Sequence, residues 1–113
     1  DYYMKAIDYM RKHINNPHFY VFTDNPCWVK DNLPEFEYML VDWNEVSGKR
    51  NFRDMQLMSC AKHNIIGNST YSWWAAWLNA NQDKIVVGPK RFFNPINSFF
   101  STCDIMCEDW ISL

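Results

Sequence analysis

An open, Rossmann-like α/β sheet with flanking helices is the fold class this sequence predicts, on three observations. Phe19-Tyr20-Val21-Phe22 is a continuous apolar run of β-formers, as expected of a strand buried on both faces. Before it, Tyr3, Ile7, Met10 and Ile14 recur at three and four residues, the period of an amphipathic helix. The alternation then repeats at the spacing of parallel βαβ units joined by right-handed crossovers.

Taken in order, Tyr2–Ile14 reads as a helix stopped by Asn15-Asn16-Pro17. Phe19–Phe22 is the first strand, ended by Thr23-Asp24-Asn25-Pro26, and Cys27–Asn32 a short helix. Glu37–Val41 is a second strand, and Asp42–Asn51, with Gly48, a loop. Phe52–Ala61 reads as helix, Asn64–Ile66 as a third strand, Tyr71–Leu78 as helix and Lys84–Val87 as a fourth strand. From Gly88 the tail is irregular, with Pro89 and Pro95, before a short element near Ile105 and the closing Trp110-Ile111. The expectation is one sheet of about four or five strands in a single domain over residues 1–113.

Composition narrows the function classes. With 48% hydrophobic residues, six Trp and eight Phe, the chain can bury a core and is not disordered. A net charge of −2 gives no general attraction to nucleic acid or an anionic membrane, and Lys90-Arg91 is an isolated basic pair. No run approaches the ~18 apolar residues of a membrane span, and the start lacks a signal-peptide layout. Opening on Asp1 directly into helical periodicity, the chain looks like a piece of something longer. Cys27, Cys60, Cys103 and Cys107 lack zinc-site spacing and read as structural thiols, with a disulfide as the alternative. Cys60 is expected to act as a small hydrophobe on a helix face, and the setting to be reducing and cytoplasmic.

In open parallel sheets ligands bind beyond the carboxyl ends of the strands. Three polar clusters fall there: Thr23-Asp24-Asn25, the Asp42 loop, and Asn68-Ser69-Thr70. The last, with Ser72, opens a helix after a buried strand, where backbone N–H groups and the helix dipole favour an anion. A helix cap needs one such side chain, so the surplus hydroxyls and amide suit phosphate oxygens; a plain cap is the alternative. Asp54 is read either as a cap or as a carboxylate accepting from the N–H groups of a guanine or the hydroxyls of a ribose. Asp24 is open between turn chemistry and ligand contact. Trp73, Trp74 and Trp77 read as core on a helix apolar on every face and therefore buried all round. His63 reads as a half-buried structural histidine. Neither GxGxxG nor GxxxxGK[ST] is present, which disfavours dinucleotide cofactors and ATP hydrolysis; no Ser–His–Asp, Cys–His or paired-carboxylate arrangement stands out.

The segments YYMKAIDYM, FYVFTDNPCWVKDNL, DMQLMSCAKHNIIGNSTYSWWAAWLN and KIVVGPKRFF, with the terminal Trp110-Ile111, resemble the C-terminal half of bacterial α-1,2-fucosyltransferases. The likeness runs over essentially the whole chain, with Ala61 after Cys60 departing from the family spacing and Asn25 standing where many relatives are acidic. The resemblance implies the donor-binding, Rossmann-like lobe of a two-lobed GT-B enzyme that moves L-fucose from GDP-β-L-fucose to a galactose-type hydroxyl with inversion. It places Asp54 at guanine or ribose, Asn68, Ser69, Thr70 and Ser72 at the diphosphate, and Asp24 with Thr23 in the same cleft. The family's HxRxGD-type motif is not in this sequence. By the same resemblance, the catalytic residues and the glycan-acceptor lobe lie in an N-terminal part, and this half alone is inactive. No metal is required, and the setting is cytoplasmic, with peripheral placement at the inner membrane face open. The competing readings are a noncatalytic α/β interaction module and a fucosyltransferase of another linkage.

Overall fold

The computed structural model describes residues 1–33, 35–93, 101 and 104–113, and among them forms an α/β chain with parallel sheets and flanking helices. In chain order the elements are α1 (Tyr2–His13), β1 (Phe19–Phe22), α2 (Pro26–Asn32), β2 (Tyr38–Val41), α3 (Arg53–Ser59), β3 (Asn64–Ile65), α4 (Thr70–Leu78), β4 (Val86–Gly88) and β5 (Ile111–Ser112). A 3-10 turn at Gly48–Arg50 lies in the loop before α3, and Gly48 takes a φ of 81° there. Contacts divide the chain into two compact units, Asp1 with Tyr3–Asp54 and Tyr2 with Met55–Leu113. The division falls inside α3.

In the first unit β1 and β2 pair in parallel, from Phe19↔Tyr38 to Phe22↔Val41. The Asp1 carboxylate caps α1 by accepting from the Tyr3 N–H at 3.1 Å, and Arg11, Lys12 and His13 complement the dipole at the other end. Asn16 follows at φ 51°, the left-handed conformation that asparagine tolerates and that turns the chain into β1. The expectation of a strand buried on both faces is corrected here. Tyr20 and its partner Met39 are both exposed on one face, because alternation sends every second side chain of the pair the same way.

In the second unit the parallel order is β3-β4-β5. Its core is Ile66, Ala76, Val86 and Phe92, flanked by Trp73, Phe93, Ile105 and Trp110. Val86 and Val87 are buried on both faces, as a central parallel strand requires. Tyr2 reaches this unit through its hydroxyl, which donates to Ile66 O at 2.6 Å and shares its proton with Val87 O at 3.0 Å.

Strand pairing among the described residues therefore gives a two-stranded and a three-stranded sheet where a single sheet was expected. β3 is only two residues long, and the backbone N–H groups of Asn64 and Ile66 are taken up by Ile85 O and Val87 O on the β4 side. Beyond β3, α4 also departs from expectation. Ala75 and Ala76 are fully buried, but Trp74, Trp77 and Leu78 are about half exposed or more, so the helix is not buried all round. A nine-residue helix turns one stripe to its core, and here the two small residues form that stripe. Cys60 likewise lies past the end of α3 and is exposed rather than packed on a helix face. Pro95 and Cys103 lie outside the described residues.

Candidate functional site

Because Phe22 pairs with Val41, Thr23-Asp24-Asn25 and the Asp42-Trp43-Asn44 segment leave the first sheet side by side at its carboxyl edge. Thr23 Oγ1 accepts from the Asn25 N–H at 3.0 Å, and Asn25 Oδ1 accepts from the Trp28 N–H at 3.0 Å. Asn25 is thus the N-cap of α2, with Pro26 behind it in the first helical position, where its missing N–H costs nothing. Asparagine caps as well as aspartate does, so the exchange of an acidic residue for Asn25 leaves the fold intact. Asp24, between the two turn-forming side chains, is exposed to solvent.

Asp54 reaches the same unit from α3. It stands inside the first turn of that helix rather than before it, so its carboxylate is not the cap. Only 8% of the residue is exposed, and Asn44 Nδ2 donates to its Oδ1 at 2.8 Å. A buried carboxylate near a helix N-terminus is favoured by the dipole and satisfied in part by one amide.

In the second unit the site residues follow β3. Ser69 occupies the N-cap position of α4, yet its hydroxyl makes no cap hydrogen bond. Instead Ser72 Oγ donates to Ser69 O at 2.9 Å, with Gly67 O at 3.4 Å, and the Trp73 N–H closes the turn onto Ser69 O at 3.0 Å. Asn68, Ser69 and Thr70 are exposed, so their polar side chains open to solvent at the positive end of α4, which carries no side-chain cap from Ser69. The plain-cap reading of this cluster does not describe it.

The support behind that turn was not foreseen in the sequence. Asn79, at the far end of α4, is 4% exposed and donates through Nδ2 to Asn64 Oδ1 at 2.7 Å and Ala61 O at 2.8 Å. Asn64 Nδ2 donates in turn to Met58 O at 2.8 Å, and Asn79 Oδ1 accepts from the Asn81 N–H at 2.9 Å. Two buried amides thereby satisfy carbonyls at and beyond the end of α3 and tie β3 to the end of α4. Lys84 Nζ closes α4 itself, donating to Ala76 O at 2.9 Å and Asn79 O at 2.7 Å, with Trp77 O at 3.5 Å. Asparagine after a helical run and a lysine before a strand were the available signals, but neither names its partner.

His63 is the half-buried structural histidine expected: its Nδ1 accepts from the Ile85 N–H at 3.0 Å. Burial, and then the charge of Lys62, lower its pKa below the usual imidazole value. This bond also explains why β4 starts at Val86 instead of Lys84, since the Ile85 N–H is spent on a side chain. Trp73 Nε1 donates to Ile105 O at 2.7 Å and its ring stacks on Trp77 at 5.4 Å, so Trp73 packs against the core while partly buried. Lys90 and Arg91 are exposed. Cys27, Cys60 and Cys107 are free thiols, and among the described residues no three His, Cys, Asp or Glu side chains gather as a metal site would need. No described helix is long and apolar enough to cross a membrane.

Parallel strands with polar clusters at their carboxyl ends, one of them at a helix N-terminus without a side-chain cap, form a geometry that can receive anionic groups. Sequence comparison makes this specific: residues 1–113 match the family described as glycosyl transferase family 11, and the chain belongs to it. It is 41% identical over 114 residues to the O-antigen biosynthesis glycosyltransferase WbnK of Escherichia coli, covering all of this chain and 36% of that protein. It is 36% identical over 114 residues to an alpha-1,2-colitosyltransferase of Escherichia coli, covering 99% of this chain and 38% of the relative. The chain therefore spans little more than a third of the length of these curated relatives. No solved structure matches it.

Proposed function

We propose that this chain is the donor-binding part of a fucosyltransferase-type enzyme, a Rossmann-like lobe of GT-B architecture that holds the nucleoside diphosphate of a GDP-sugar. The observation that carries the reading is the uncapped N-terminus of α4 behind β3, flanked by the exposed Asn68, Ser69 and Thr70. First-turn N–H groups without a side-chain cap, backed by the helix dipole, suit the diphosphate and stabilise charge on it as the sugar leaves. Ser72 braces that turn through its bond to Ser69 O. Asp54 accepts from the N–H groups of the base or from ribose hydroxyls, and Thr23 and Asp24, which follow β1 in the unit that carries Asp54, contact the donor as well. In the intact enzyme an acceptor sugar hydroxyl attacks the anomeric carbon and GDP departs, with inversion and without a metal. The catalytic base and acceptor site belong to parts of the enzyme outside this chain. Family membership over the whole chain supports the transfer chemistry, and the relative named an alpha-1,2-colitosyltransferase supports an α-1,2 linkage.

A second reading is favoured by one observation, the exposed Trp74, Trp77 and Leu78 on α4, which would suit an interaction module. Nucleotide selectivity separates the two. Calorimetric titration should show GDP preferred over ADP and UDP, with Asp54→Ala about tenfold or more weaker, the loss expected for a hydrogen bond to a charged group. Ser69→Ala tests the α4 turn in the same titration. Equal weak binding of all three nucleotides, unchanged in both variants, would favour the interaction module.

A further inference from the structure

Asn44 was singled out neither by spacing nor by family likeness, yet its amide is the hydrogen-bond partner the structure gives to the Asp54 carboxylate. Asp54 is buried, and a carboxylate taken out of water needs donors on both oxygens or it forfeits solvation. Asn44 supplies one donor, to Oδ1. Among the described residues no fully buried side-chain nitrogen or oxygen lacks a partner, so the remaining Asp54 oxygen opens to the surface. A carboxylate held by one neutral amide and open on its other side is arranged to accept from an incoming N–H or O–H group. A second feature points the same way. Asn44 sits three residues past β2, whose end is paired with the end of β1, so the amide carries Asp54 to the edge where Thr23 and Asp24 emerge.

We infer that Asn44 is a positioning residue for donor recognition: it fixes the rotamer of Asp54 so that the free oxygen meets a hydrogen-bond donor of the nucleoside. This rests on the donor-site reading above. An amide suits the task because it donates without bringing a charge of its own. A lysine or arginine there would neutralise the carboxylate and weaken its pull on a nucleoside N–H or O–H.

The test is a double-mutant cycle on GDP affinity in this chain, with Asn44→Ala and Asn44→Asp each made alone and with Asp54→Ala, and with melting curves recorded for every variant. If Asn44 acts through Asp54, either Asn44 change weakens GDP by about tenfold in the native background and has little further effect once Asp54 is Ala, the non-additivity of coupled residues. Asn44→Asp keeps the size of the side chain but sets two carboxylates face to face, so its loss should be at least that of Asn44→Ala. An equal loss with and without Asp54, or a lowered melting temperature with GDP affinity intact, overturns the inference by making Asn44 merely structural. A native chain that binds GDP while Asp54→Ala binds it equally well overturns the assignment of Asp54 and the inference together. A native chain with no saturable GDP binding overturns the donor-site reading itself.

Discussion

Replacing Asn79 with leucine is the most demanding test of how the second unit is held together. The residue is 4% exposed, and the change removes two donated bonds, to Asn64 Oδ1 and Ala61 O, and one accepted bond, from the Asn81 N–H. Three intramolecular hydrogen bonds at about 1 kcal/mol net each set a floor near 3 kcal/mol. Asn64 Oδ1 and Ala61 O also lose a partner where water has little access, which adds about 1 kcal/mol or more. Leucine is of similar volume, so cavity formation contributes little. The expected loss is about 4 kcal/mol or more, read as a shift of the urea midpoint at constant slope and as a fall of more than about 10 °C in Tm. Tryptophan fluorescence is a natural probe, because Trp73 and Trp110 pack at this core. Adding Asn64→Leu in the Asn79→Leu background should cost less than it does alone, since the two amides satisfy each other. A loss below about 1 kcal/mol, or strict additivity of the two changes, would refute the claim that this network holds β3 against α4.

Two further expectations concern the same support. His63 accepts from the Ile85 N–H only as neutral imidazole, and its pKa is lowered in the fold, so folded protein binds fewer protons there than unfolded chain. Its contribution is complete above the unfolded value of about 6.5 and is lost as pH falls through the depressed folded value. Urea midpoints at pH 7.5 and 5.0 should differ more for the native chain than for His63→Gln, and equal differences would exclude the bond as the cause. Lys84→Met removes the ammonium that closes α4 and should cost about 1–2 kcal/mol by chemical denaturation, partly screened by salt.

Much of the fold was legible because its signals are local. Phe19–Phe22 is a strand to the residue, a β-former run bracketed by Pro17 and a Thr-Asp-Asn turn. The first helix ends where two asparagines and a proline require it to. What the sequence did not disclose depends on partners far along the chain. The strand Ile111–Ser112 is two residues long and exists only because Val87 and Gly88 offer it a ladder. The end of α3 at Ser59 is set by Asn64 and Asn79, five and twenty positions on. The strand-end rule pointed to Thr23, Asp24 and Asn68 to Thr70, and these do stand beyond strand ends, with Asp54 in the first turn of α3. Asn44 escaped because a single asparagine in a polar loop carries no periodic signal, and its role is visible only once the Asp54 carboxylate is seen 2.8 Å away. The error over α4 has the same origin: a sequence apolar on every face shows how much could be buried, not how much surface is available to bury it.

The two ends of α4 are treated in opposite ways, and that contrast is the strongest structural argument for where a ligand belongs. At the carboxyl end the carbonyls of Ala76, Trp77 and Asn79 all face one lysine ammonium, and Asn79 is locked into a buried amide network. At the amino end a serine stands in the capping position, competent to satisfy a first-turn N–H, and does not do so. Ser72, the neighbouring hydroxyl, donates to a carbonyl instead. A helix of nine residues gains little from its own propensity and depends on such end contacts. Leaving the side-chain cap unmade forgoes about 1 kcal/mol that Ser69 could have supplied locally. The same polar end carries Asn68, Ser69 and Thr70 exposed and is anchored at its far end, so it can meet an anion with little reorganisation. On this argument, a serine side chain that completed the cap in the absence of ligand, seen as protection of the Thr70–Ser72 amides from hydrogen exchange, would remove the reason to place a diphosphate there. Amides in that turn that exchange fast in the apo chain and slow on adding GDP would give the end without a side-chain cap its occupant.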